Sequence, residues 1–163
     1  MTREAYMRIR NNIIDWVLNG VCMAVMVAVT VLTAVRWNEL PDRIATQFGM
    51  NGEPQSYGGK GNLIAILVVM FILFIGITLT EYFPKLWNLP VKVTESNCYI
   101  VYRLTKYFME TIKLLLVICL AGLITCTVLQ RNIPVWYTPV ELVSIFAAII
   151  IWFVIIVVQG KRY

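Results

Sequence analysis

Four long apolar runs, Ile13–Val35, Leu63–Leu79, Ile112–Leu129 and Val140–Val158, constrain this chain more than any other feature. Each is close to the roughly 17–25 residues that a helix needs to cross a bilayer's hydrocarbon. Lipid offers no partner for backbone N–H and C=O groups, so such runs are read as helices, which satisfy their backbone internally. Composition agrees: 60% of the 163 residues are hydrophobic and only 14% are charged. A soluble domain carries about 25% charged residues, so this chain lacks the polar surface to cover itself. Lys113 sits at one end of the third run, where its aliphatic stem can lead the ammonium toward the headgroups.

The expectation is an all-α integral membrane protein, one polytopic domain over residues 1–163. Its four spans lie at about 13–35, 62–80, 110–130 and 139–158, joined by an outer loop at 37–61 and an inner loop at 81–109. The first run is too long for the apolar core of a signal peptide, despite Arg3, Arg8 and Arg10 before it, and is expected to be retained. Basic residues set the orientation. With the N-terminus inside, Arg3, Arg8, Arg10, Lys85, Lys92, Arg103, Lys106, Lys113, Lys161 and Arg162 face the cytoplasm. Only Arg36, Arg43, Lys60 and Arg131 lie outside, balanced by Glu39, Asp42, Glu53 and Glu141. That asymmetry places both termini in the cytoplasm. It also explains the net charge of +5 by attraction to anionic lipid, without nucleic acid as a partner.

Local signals add detail. Asp15 is an acid just inside the first span; it is either functional or paired with Lys113 or Arg10. Asn19-Gly20 is a candidate close helix contact. Thr138, Pro139 and Glu141 read as a capping box with proline at the first helical position. From Glu95 to Leu129 a continuous helix would be about 50 Å long, more than the hydrocarbon accommodates. Its first turns are therefore expected to extend into the cytoplasm or lie along the surface as an amphipathic extension of the third helix. Ile100, Leu104, Tyr107 and Phe108 form its apolar stripe; Arg103, Lys106 and Lys113, with Glu110 among them, form another face. Cys22, Cys119 and Cys126 fall in helices and Cys98 in the inner loop, so no structural disulfide is expected.

The outer loop, Leu40–Lys60, is the one stretch chosen for something other than lipid. It contains Gly49, Gly52, Gly58, Gly59, Pro41 and Pro54, and an Asn51-Gly52 pair that signals a hairpin turn. Arg43–Phe48 alternates well enough for a strand. Leu40, Ile44, Phe48 and Tyr57 are expected to fold back and bury apolar surface, giving a compact extracellular loop on the helix ends.

Within it, Trp37, Leu40-Pro41, Ile44, Phe48, Gly52, Pro54, Tyr57 and Lys60 fall in a recognisable order. In the inner loop, Asn88-Leu89-Pro90, Val93-Thr94-Glu95, Asn97 and Tyr102-Arg103-Leu104 do the same. Together they resemble the SdpI-like bacterial immunity family, which protects cells from a sporulation-delaying toxin and whose N-terminal domain is domain of unknown function 1648. The chain departs from that pattern at Gln47, where the family has histidine, and at Gln55, where it has aspartate. The longer immunity proteins also continue into further membrane spans. The resemblance implies a bacterial plasma-membrane protein that recognises a secreted peptide toxin or membrane ligand. Trp37, Leu40, Pro41, Ile44, Gln47, Phe48, Gly52, Glu53, Pro54, Tyr57 and Lys60 are the candidate ligand-binding residues. Asn88, Pro90, Thr94, Glu95, Asn97, Arg103 and Lys106 are the candidates for docking a cytoplasmic regulator.

Catalytic and metal chemistry is not indicated. The chain has no histidine, which removes the commonest general base and metal ligand. Gly58-Gly59-Lys60 is followed by Gly61 and is no phosphate loop. Asp15, Glu81, Glu110 and Glu141 all read as close to helix ends, which weighs against a proton-coupled exporter. No cofactor or metal is expected. Two functions stay open: a binding protein of the immunity type, or an accessory subunit of a transporter or other membrane complex.

Overall fold

The computed structural model describes residues 11–49 and 51–162. Helix α1 (Ile13–Arg36) opens with a reciprocal cap. Asn12 Oδ1 accepts from the Asp15 N–H at 3.0 Å, and Asp15 Oδ2 accepts from the Asn12 N–H at 2.9 Å. The exchange satisfies two of the donors that a helix start otherwise leaves unpaired. A 3₁₀ turn at Trp37–Glu39 leads into a two-stranded antiparallel hairpin, β1 (Arg43–Phe48) and β2 (Pro54–Gly59). Helix α2 (Gly61–Glu81) follows, then a second 3₁₀ turn at Pro84–Leu86, and α3 (Cys98–Val128) and α4 (Tyr137–Arg162) complete the fold. All four helices are long and apolar enough to cross a membrane, as the sequence requires of a multi-pass protein.

The third helix extends ahead of its apolar run, as the unbroken stretch from Glu95 predicts. It begins at Cys98 and is unbroken over 31 residues, roughly 46 Å at 1.5 Å per residue, so the amphipathic segment and the span are one rod. Cys98 is its first residue and is buried, not a loop residue. This shift also moves Glu110 from a helix end to the interior of α3.

Helix α3 is the hub. It packs against α1, α2 and α4, whereas α1 and α2 touch little. Its buried residues recur at three- or four-residue intervals, from Cys98 through Val101, the adjacent Thr105 and Lys106, then Glu110, Lys113, Val117, Ala121, Ile124 and Val128. On α1, Asp15, Cys22, Met26, Val29 and Thr33 form the matching seam. Such spacing is the stripe by which two helices interlock along their length. The opposite faces of α1, α2 and α4 carry exposed Val, Ile, Leu and Phe, a surface suited to acyl chains.

Close approaches occur where the sequence did not mark them. Gly20 has open space beyond its Cα and makes no close contact, correcting the expectation for Asn19-Gly20. Gly122 instead receives the Tyr137 ring, and the Tyr137 hydroxyl lies 3.0 Å from the Cys119 carbonyl and 3.1 Å from that of Ile118. This anchor starts α4 at Tyr137, with the Tyr137 N–H on Pro134 O at 2.8 Å. Thr138 thus lies within the helix and the expected capping box does not form; one Glu141 carboxylate oxygen is buried without a hydrogen-bond partner.

At the hairpin end, Gly52 has φ +75°, and a Cβ there would run into the Ile133 carbonyl oxygen. The Ile133 N–H donates to Gly52 O at 3.1 Å, which ties the hairpin tip to the α3–α4 connection. Only glycine combines that backbone conformation with so close an approach. Gly52→Ala is therefore expected to cost about 1–3 kcal/mol and release the tip. Gly59→Ala, with open space around it, should leave stability unchanged. Thermal unfolding in detergent and proteolysis of the hairpin check both.

Candidate functional site

The hairpin roofs a cavity of about 260 Å³ against the end of α3. Pro41, Ile44, Phe48, Pro54 and Tyr57 line it, so five of the outer-loop candidates converge on one space. Two register shifts in β1, between Ala45 and Gln47 and between Gln47 and Phe48, accompany this convergence. In a regular strand successive side chains alternate faces, and a bulge re-aims them. Ile44 is buried and Phe48 half-buried, whereas Tyr57 is 61% exposed, correcting the expectation that it is covered.

The opposite wall was not legible as part of the site. Cys126, Thr127, Gln130, Arg131 and Asn132 supply it from the end of α3. Gln130 sits at φ +53°, and the Arg131 N–H reaches back to Cys126 O at 2.9 Å. The Gln130 N–H meanwhile meets Thr127 O at 3.1 Å. This is a left-handed helix stop without the glycine that normally announces one. Arg131 borders the cavity, as does Arg43 of β1.

The remaining outer candidates serve other ends. Leu40 is buried in the main core. Lys60 lies over the Trp37 ring at 5.7 Å and 3.9 Å from Asp42, away from the cavity. Glu53 belongs to the turn: its backbone carbonyl accepts from the Gly49 N–H, and its carboxylate accepts from Asn51 Nδ2 at 2.8 Å. Gln47 is exposed, and the Gln55 side chain packs over Gly49.

At the other end of the bundle, Asn88 and Pro90 border an apolar groove of about 300 Å³ with Leu89, Phe108, Phe153 and Ile156. Asn97 is structural. Its amide donates to Gly160 O at 2.7 Å and Lys92 O at 3.1 Å, and its Oδ1 accepts from the Thr94 N–H at 2.8 Å. Thr94 and Glu95 are exposed beside it.

Arg103 and Lys106 are turned inward. Arg103 Nη1 lies 3.1 Å and Lys106 Nζ 2.9 Å from Asp15 Oδ2, and Lys106 also donates to Asn11 Oδ1. About two turns further in, Lys113 Nζ reaches Glu81 Oε1 at 2.7 Å, Asn19 Oδ1 at 2.7 Å and Thr78 Oγ1 at 3.2 Å. The Phe74 ring lies 5.3 Å from the same ammonium. Asp15 thus pairs with Arg103 and Lys106 rather than Lys113; Arg10 lies outside the described residues. The basic face of the amphipathic segment is the inside of the bundle, because unpaired charge facing acyl chains is expensive. Glu110 shares this interior, wholly buried, and neither carboxylate oxygen has a hydrogen-bond partner. Among the described residues no cluster of acids and cysteines is arranged to hold a metal ion.

Against this geometry the comparisons are informative on one point. Residues 24–72, from mid-α1 through the hairpin into α2, match the family described as Domain of unknown function (DUF1648). No curated protein and no solved structure matches the chain.

Removing one member of a buried ion pair strands the other's charge, which costs about 3–5 kcal/mol. Asp15→Ala, which strands Lys106 and Arg103, is expected to destabilise the bundle by that order. Glu39→Ala, which breaks an exposed pair with Arg36, should cost less than about 1 kcal/mol. Unfolding in lipid nanodiscs measures the contrast.

Proposed function

We propose that this chain is a small multi-pass binding protein of the immunity type, recognising a secreted peptide or a membrane ligand at the hairpin cavity. The carrying observation is that cavity, where five residues of the SdpI-like pattern meet two arginines from separate elements. Pockets that bind ligands combine apolar walls with a few fixed polar groups. Here Ile44, Phe48 and Pro54 offer the wall for an apolar side chain. Arg43 and Arg131 offer bidentate donors for a carboxylate or other anionic group. The family resemblance suggests a peptide, and the cavity's mixed apolar and basic lining supports a binding role.

The same reading puts the chain in a bacterial plasma membrane, with the hairpin outside and both termini in the cytoplasm. The basic residues concentrated at the end opposite the hairpin support that orientation. A cytoplasmic regulator would then meet Asn88, Pro90, Thr94 and Glu95, which border the recesses and exposed surface at that end. Arg103 and Lys106 are already committed inside the bundle.

Deleting the gene is expected to sensitise the producing cells to their own secreted peptides, and restoring it to protect them. Phe48→Ala and Arg131→Ala should each lower peptide affinity roughly tenfold, the order of one hot-spot contact. Glu39→Ala, remote from the cavity, should protect like the unmodified chain. Unchanged susceptibility of the deletion strain would overturn the reading.

A further inference from the structure

Among the described residues, Glu110 is the group whose surroundings least suit its ordinary charge state. It is the thirteenth residue of α3, roughly 18 Å along the rod from Cys98. It is wholly buried, and both carboxylate oxygens lack a donor. Among the described residues, the ionisable groups around it are Asp15 and Cys22 on α1, Glu81 on α2, and Lys106 and Lys113 on α3. Helix α4 carries its ionisable side chains, Tyr137, Glu141, Lys161 and Arg162, only at its two ends.

Lys106 and Lys113 lie four residues before and three after Glu110, the spacings that place side chains on one helix face. Both ammonium groups are nevertheless spent elsewhere: Lys106 on Asp15 and Asn11, Lys113 on Glu81, Asn19 and Thr78. Ionised, Glu110 would be a buried anion with no hydrogen bond, a state that proteins avoid by neutralising the group. Protonated, it is an uncharged side chain that fits an apolar interior.

We propose that Glu110 is an intramembrane proton-binding site, holding its proton at neutral pH in this arrangement of the helices. Release of the proton leaves a carboxylate that must recruit a donor, and the two lysines on its own face are the ones available. Recruiting Lys106 loosens α3 from Asp15 on α1; recruiting Lys113 loosens it from Glu81 on α2. Proton exchange at Glu110 is in this way tied to the contacts between α3 and its neighbours. The inference is independent of what the hairpin cavity binds.

Infrared spectroscopy of the full chain in nanodiscs, with glutamate carboxyls isotopically labelled, tests the proposal. At neutral pH the spectrum should contain the C=O stretch of a protonated glutamic acid, lost in Glu110→Gln and kept in Glu81→Gln. Dicyclohexylcarbodiimide, which attacks protonated carboxyls in apolar surroundings, should modify the unmodified chain at Glu110, as located by peptide mass spectrometry. That second measurement needs no variant to fold. A spectrum containing only glutamate carboxylates, or labelling directed to Asp15, Glu81 or Glu141 instead, overturns it.

Discussion

A helix that crosses hydrocarbon can carry charge only where another side chain meets it, and α3 carries three basic residues within eleven positions, Arg103, Lys106 and Lys113. The rest of the bundle is arranged around that requirement. Asp15 at the start of α1 and Glu81 at the end of α2 stand at the heights of Lys106 and Lys113 and take their ammonium groups. Apolar helices have no hydrophobic reason to associate in lipid, since tails are as apolar as leucine. Polar pairs, close packing at Gly122 and Gly160, and the apolar seam below supply the reason here. This explains why α3, the least uniformly apolar span, is the one that all others touch.

The same pairing changes how the charge asymmetry of the chain is understood. Of the basic residues at the end opposite the hairpin, Arg103, Lys106 and Lys113 face acids inside the bundle. Lys85, Lys92, Lys161 and Arg162 remain on the exposed surface there, with Arg3, Arg8 and Arg10 outside the described residues. The surface excess that would meet anionic lipid is thus smaller than a count of lysines and arginines suggests, although its direction is the same.

Much of the architecture was legible because hydrocarbon imposes a length on every span. The four apolar runs, the strand at Arg43–Phe48 and the turn at Asn51-Gly52 all follow from length, alternation and turn chemistry. What escaped the sequence were interactions between distant segments. The pattern of Arg103, Lys106, Glu110 and Lys113 shows a polar face but not which way it points, and an outward basic face suits a membrane surface equally well. Only the position of Asp15 and Glu81 across the bundle decides it. Likewise Thr138 to Glu141 is a sound capping signal, overridden by Tyr137 anchoring one residue earlier on α3. At the hairpin, one wall of the cavity was readable from the loop. The other wall depends on Gln130 adopting a left-handed stop, which no glycine announced.

The central claim is that inward charge pairing holds α3 to its neighbours, and a double-mutant cycle on Glu81 and Lys113 in lipid nanodiscs tests it most directly. Unfolding free energies of Glu81→Ala, Lys113→Met and the combined variant give the coupling of the pair without the contributions of either side chain alone. The account predicts a favourable coupling of about 1–3 kcal/mol, with the combined variant less damaged than the sum of its parts. Strict additivity, with each single variant close to the unmodified chain, would contradict it.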